Sequence, residues 1–192
     1  MKRVDRTEVL ELGAYEEIRE VYRRRIIELK GVRRVPLGPN MTVLFENHDT
    51  ALYQIQEMLR TERITREDAV THEIETYNDL VPGDRELSAT LFVEYPEREE
   101  RERMLIQLAG VEQSFHFEVA GERLPVVNMT HGVMPDRTTA VQYTKIPLTE
   151  SAVLAITSGK SSAAFVVDHP AYRARAVLTP RAVEELAADL AG

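Results

Sequence analysis

Met41 to Arg63 reads MTVLFENHDTALYQIQEMLRTER, and it concentrates the side chains that could do chemistry. Glu46, His48 and Glu57 lie in it, with His72 a short distance beyond. Carboxylates with imidazoles form a ligand set for a metal such as iron or zinc. His72 shares a helix face with Glu75, three residues on, and with Asp68, four residues back. A carboxylate from one helix facing a His/carboxylate pair on its neighbour is how helical metal sites are built. The full di-iron pattern needs two Glu-x-x-His motifs, and the sequence has none.

Two other chemistries are open to the same residues. His48 or His169, with Glu57, could serve as acid–base groups, because imidazole titrates near neutrality. His169 sits in Asp168-His169-Pro170, where no Ser or Cys nucleophile stands nearby in sequence, so this is not a triad signature. The polar knuckle Glu46-Asn47-His48-Asp49 lies where a strand turns into a helix. Helix N-termini favour anions, and Arg60 or Arg63 could add charge to a bound carboxylate or phosphate. Each feature also has a plain structural explanation. Asp49 or Thr50 can cap the helix while Asn47 makes the turn. Glu57 and Glu62 can pair with neighbouring arginines, His72 can be solvated, and Asp-His-Pro can be a turn. His116 shares a strand face with Ser114 and Glu118, and His131 falls in an expected loop.

Periodicity predicts the elements that must hold these groups. Tyr15, Ile18, Tyr22, Ile26 and Leu29 recur at helical spacing, predicting a helix from Ala14 to Lys30 stopped by Gly31. Val32–Leu37 and Met41–Phe45 read as a strand hairpin around Gly38-Pro39-Asn40. A helix to Arg63 and another from Thr65 follow, the latter ending before Pro82-Gly83. Strands are expected over 87–95, 111–119, 124–129, 140–147, 163–167 and 172–178. Helices are expected over 96–109, 150–157 and, opened by Thr179-Pro180, up to Leu190. Hairpins outnumber strand–helix–strand units. The expected fold is therefore α+β, a mainly antiparallel sheet with helices packed on it. One domain over 1–192 is expected, helix-rich to about residue 82 and sheet-rich from about 85.

Composition removes several classes. There is no cysteine, which excludes disulfides, thiolate nucleophiles and iron–sulfur clusters held by this chain. No GxGxxG or GxxxxGK(S/T) motif is present, so no nucleotide motif marks the chain. The N-terminus MKRVDRTEVLELG lacks the apolar core of a signal peptide, and no apolar run is long enough to span a membrane, which together point to the cytoplasm. Net charge is −8; residues 1–66 hold 13 Lys+Arg against 11 Asp+Glu, leaving 11 against 21 in the rest. The basic groups Arg23-Arg24-Arg25 and Arg33-Arg34 lie among glutamates, which argues against nucleic acid. A solvated helix face accounts for the arginine run.

The stretches VPLGPNMTVLFENHDTALYQIQEMLRTERI, ETYNDLVPGDRELSATLFVEYP and VDHPAYRARAVLTP resemble a bacterial family catalogued as domain of unknown function 3501, from about Tyr15 to Leu190. The resemblance carries no activity and no residue-level site. It implies a role beside an iron-dependent redox protein, rubrerythrin-like or iron–sulfur, with any cluster on the partner. The expected function is thus that of an accessory cytoplasmic protein that binds a metal or anion near Glu46–Glu57 and works with such a partner. A homodimer is an assembly this reading admits. The alternative is an enzyme using His/Glu acid–base or metal-assisted chemistry in a pocket near residues 46–57.

Overall fold

The computed structural model describes residues 1–130, 134–159 and 161–191; His131 lies outside them. The fold is α+β, with two antiparallel sheets and a helix-rich N-terminal part. The N-terminal helices are α1 (Leu12–Arg33), α2 (His48–Glu62) and α3 (Glu67–Asn78). A five-stranded sheet takes β1 (Arg34–Pro36), β2 (Met41–Glu46), β3 (Glu86–Val93), β6 (Val127–Asn128) and β7 (Val141–Pro147), in the order β1-β2-β3-β7-β6. A four-stranded sheet takes β4 (Phe115–Val119), β5 (Glu122–Pro125), β8 (Ala163–His169) and β9 (Tyr172–Val177), in the order β5-β4-β8-β9. Helices α4 (Arg98–Gln107), α5 (Glu150–Thr157) and α6 (Pro180–Ala191) complete the chain. No helix among the described residues is long and apolar enough to cross a membrane.

The two sheets share one core. Phe45 of β2 meets Phe117 of β4 and Phe165 of β8 edge-on, with ring centroids 6.1 and 6.5 Å apart. Met41, Val43 and Phe45 alternate toward that core, as strand geometry requires. Thr42, Leu44 and Glu46 point to the opposite face, yet all six residues of β2 are buried. β2 is therefore covered on both faces. A second, smaller core joins α2 and α3 to Val4 and Val9 of the N-terminal arm.

That arm is held by two buried carboxamides. Gln56 accepts from the Leu10 N–H at 2.6 Å and donates to the Leu10 carbonyl at 3.2 Å. Asn78 does the same for Val4, at 2.8 and 3.0 Å. Each amide occupies both backbone groups of one arm residue, as a sheet partner would.

Several local expectations shift. α1 runs through Gly31 to Arg33, because what lies beyond Gly31 anchors it. The Arg33 guanidinium is fully buried, donates to the Phe45 carbonyl at 3.2 Å and pairs with Asp189 and Glu185 of α6. Those contacts outweigh a mid-helix glycine penalty of about 1 kcal/mol. The buried face of α1 is also rotated: Ile18 is 45% exposed, whereas Tyr15, Ile26 and Arg33 are buried. Asn47, rather than Asp49 or Thr50, caps α2. Its side chain accepts from the Thr50 N–H while the Thr50 hydroxyl accepts from the Asn47 N–H. α3 begins at Glu67 after Arg66, with no side-chain cap. The strand expected over 124–129 is divided: β5 belongs to one sheet and β6 to the other. The strand expected from 111 begins at Phe115, after a short 3-10 turn.

Candidate functional site

The outer face of the five-stranded sheet is unusually polar beneath the helices. Register places Glu46 opposite Ser88, Thr90 opposite Tyr143, and Ser88 opposite Lys145, so these side chains share one face. α1, α2 and α3 do not seal against it. Two adjoining cavities, of about 200 and 310 Å³, lie in the gap and share Tyr77, Leu80 and Tyr143. Together they form a groove. Lys30 of α1 and Arg34 stand at one end with Glu46, Gln54 and Thr90. Ser88, Met129 and Lys145 line the other.

Charge within this groove is unequally compensated. Glu46 is buried, and its carboxylate accepts from the Thr90 hydroxyl at 2.6 Å. Lys145 forms an ion pair with Glu86 at 3.0 Å and donates to the Val81 carbonyl at 2.9 Å. Arg34 lies over the Phe92 ring, its guanidinium 5.4 Å from the centroid, and 3.9 Å from Glu94. Lys30 differs. Its ammonium sits 5.3 Å from the centroid of the Tyr53 ring, and among the described residues it has no hydrogen-bond acceptor and no ion-pair partner. Burial pushes the Lys30 ammonium below the usual lysine range; Glu46 opposes that shift and Arg34 adds to it. Burial also raises the Tyr143 and Tyr77 phenols, so both are neutral hydrogen-bonding groups.

Of the residues considered for catalysis, metal binding or an anion, Glu46 alone lines this groove. Glu57 points toward α1, where it accepts from Tyr15 at 2.8 Å and from two nitrogens of Arg19, each at 2.8 Å. The Arg19 guanidinium holds the Glu57 carboxyl below the usual carboxylate range. Both oxygens are occupied, so a proton or a metal would have to displace a bidentate arginine. His48 sits between Glu8, 3.3 Å from Nε2, and Asp49, 3.5 Å from Nδ1. These carboxylates lie on opposite sides of the ring and cannot share a metal with it. His72 is exposed on α3, and the Thr76 hydroxyl donates to its carbonyl. No group of three His, Asp or Glu side chains among the described residues could hold a metal ion.

The groups considered for an anion are also dispersed. Arg60 pairs with Glu16 at 2.7 Å. Arg63 ends α2 in the left-handed conformation, far along the helix from its N-terminus. At that N-terminus the Asn47–Thr50 pair and Met1, whose sulfur accepts from the His48 N–H at 3.2 Å, occupy the free amides.

His169 is built into the fold. Its Nδ1 accepts from the Ala171 N–H at 3.2 Å, which leaves the Nε2 proton to meet the Ala109 carbonyl at 3.2 Å. Three residues on, the Tyr172 hydroxyl donates to the Leu37 carbonyl at 2.7 Å and accepts from the Asn40 N–H at 3.0 Å. The Asp-His-Pro-Ala-Tyr segment thus fastens the β8–β9 hairpin to the α4 end and to the β1–β2 turn.

Lys30 and Tyr143 were missed because each has an ordinary sequence reading. A lysine in the last turn of a helix suits the helix dipole, and a tyrosine in a strand suits alternation. The available signal was the second face of β3, where Ser88 and Thr90 alternate with Leu87, Ala89 and Leu91 although the strand is buried on both sides.

A crystal structure of a novel protein of unknown function from Burkholderia pseudomallei K96243 is 30% identical to this chain; the match covers 98% of this chain and 100% of that one, with a TM-score of 0.92. No curated protein matches. With a full-length structural counterpart of that identity, and a family model matched over residues 3–190, the chain belongs to the family described as protein of unknown function DUF3501.

Proposed function

We propose that this protein binds a small organic carboxylate in the groove over the five-stranded sheet. The observation that carries this reading is the Lys30 ammonium, which opens into the groove with no hydrogen-bond acceptor or ion-pair partner in contact among the described residues. Desolvating an ammonium is costly unless a counter-charge is supplied, and a bound carboxylate supplies it. Arg34 adds a second positive group at the same end. Glu46 stands beside them and accepts hydrogen bonds, so the fitting ligand carries a hydroxyl or amine next to its carboxylate. Tyr77, Leu80 and Tyr143 form the apolar flank for the rest of the molecule. The expectation of an anion site near residues 46–57 keeps Glu46 in this proposal, and Lys30 and Arg34 take the place of Arg60 and Arg63. An enzymatic reading would use the same pocket, with Lys30, Glu46 and Tyr143 in place of His48, Glu57 and His169.

The test is a thermal-shift and calorimetric comparison of hydroxy acids such as phenyllactate with their neutral amides. Wild type is expected to be stabilised by the acids alone, and Lys30→Met to lose the effect while remaining folded. Stabilisation that persists in Lys30→Met, or wild type that responds to none of the acids, would overturn the proposal.

A further inference from the structure

From the surroundings of Lys30 we infer that its side chain is a nucleophilic amine that condenses with the carbonyl group of a 2-oxo acid to form an imine. This inference rests on the carboxylate-groove reading and adds a reaction to it. Three features of the groove fit the step. Among the described residues no carboxylate or carbonyl ties up the nitrogen, so its lone pair is not masked once the proton leaves. It sits in a cavity under α1 and α2, where desolvation and the nearby Arg34 disfavour the ammonium. Glu46 and the Tyr53 ring work against this by favouring the cation. Finally, Glu46 and Tyr143 line the same cavity and can pass protons.

The step balances without an external oxidant or reductant. The neutral amine attacks the carbonyl carbon, and the carbonyl oxygen takes up a proton to give a carbinolamine. The nitrogen then gives up a proton, the hydroxyl takes one, and water departs. The product is a C=N bond to Nζ. Glu46 and Tyr143 are the groups placed to relay these protons, and the carboxylate of the oxo acid faces Arg34.

Lysine content makes the reaction readable. Only Lys2, Lys30, Lys145 and Lys160 are present. Lys145 is engaged by Glu86 and the Val81 carbonyl, which makes it an internal control. The experiment incubates the full chain with phenylpyruvate and sodium cyanoborohydride at neutral pH and maps reduced adducts by peptide mass spectrometry. Labelling of Lys30 is expected to exceed that of each other lysine by about tenfold, as suits a desolvated amine held in a pocket that also binds the acid. Lys30→Arg is expected to keep the thermal shift with phenyllactate and to lose the adduct. Equal labelling of all four lysines, or no adduct at Lys30 in protein that phenyllactate stabilises, would overturn the imine and leave carboxylate binding intact. Absence of both the adduct and the phenyllactate shift would overturn the two readings together.

Discussion

The hydroxyl of Tyr172 lies 2.6 Å from the place a Cβ on Gly38 would occupy. Gly38 has φ +75°, so it needs glycine for its backbone as well as for the space. The same hydroxyl bonds the Leu37 carbonyl and the Asn40 N–H across the turn. Gly38→Ala is expected to cost about 1–2 kcal/mol for the left-handed backbone alone, with the steric overlap in addition. Tyr172→Phe is expected to cost about 1–3 kcal/mol through the partners it strands. In the double variant the offending oxygen is gone, so the loss should be smaller than the sum of the two. Urea unfolding of the four proteins measures this, and strict additivity would show that the close approach has no energetic weight.

Gln56 and Asn78 fasten the N-terminal arm by backbone mimicry, and neither job can be done by an apolar residue. Gln56→Leu preserves volume but strands the Leu10 N–H and carbonyl. A loss of about 1–3 kcal/mol is expected, accompanied by faster amide exchange at Leu10 and at Val9, a member of the second core. Exchange at Leu10 unchanged from wild type would mean that apolar packing alone holds the arm.

Glu57 gives a pH prediction of definite sign. Arg19, and then Tyr15, hold its folded-state pKa below the ordinary value of 4.5. A carboxyl depressed in this way contributes stability above its unfolded pKa, and that contribution is lost as pH falls through the folded value. The stability gap between wild type and Glu57→Gln should therefore be widest at neutral pH, about 2 kcal/mol for charge-assisted hydrogen bonds of this kind, and should shrink progressively below pH 4.5. Denaturant melts across the acid range measure it. A gap independent of pH would show that ionisation of Glu57 does not support the fold.

Apolar periodicity made most of the elements legible, because each helix stripe and strand alternation reports which side faces a core. The Thr149 and Thr179 starts to α5 and α6 were legible as well, since a threonine before a helical stripe satisfies free amides wherever it occurs. Polar function was harder to read. His48, Asp49 and Glu57 drew notice by crowding, yet long-range partners absorb them: Glu8 for His48, Arg25 for Asp49, and Arg19 with Tyr15 for Glu57. Sequence adjacency carries no information about those partners. Arg19 and Lys30 fall on the expected helix and Arg33 in the strand expected from Val32, but α1 turns them toward α2, the groove and α6 respectively. The expected iron-dependent redox partner followed from the family resemblance, and no described residue adds to it.

The role proposed for Lys30 in binding and its effect on stability have opposite signs. Desolvation lowers its folded-state pKa below the unfolded value of 10.5. For a lysine shifted this way the folded state holds its proton less tightly than the unfolded state, so stability rises with pH between the two values. At neutral pH the ammonium is a standing penalty, only partly offset by the Tyr53 ring. Lys30→Met keeps the length of the stem and removes the charge, so it should be at least as stable as wild type at neutral pH. As pH approaches 10.5 the wild-type penalty is relieved, and the difference between the two proteins should narrow. Thermal melts of both proteins at neutral and alkaline pH test this, with the difference between them cancelling the tyrosines that titrate in both. A variant that is less stable at neutral pH, with a deficit unchanged on the alkaline side, would identify Lys30 as a packing residue. A more stable Lys30→Met that no longer binds organic acids would show a site that sacrifices fold stability for a charge held ready for its ligand.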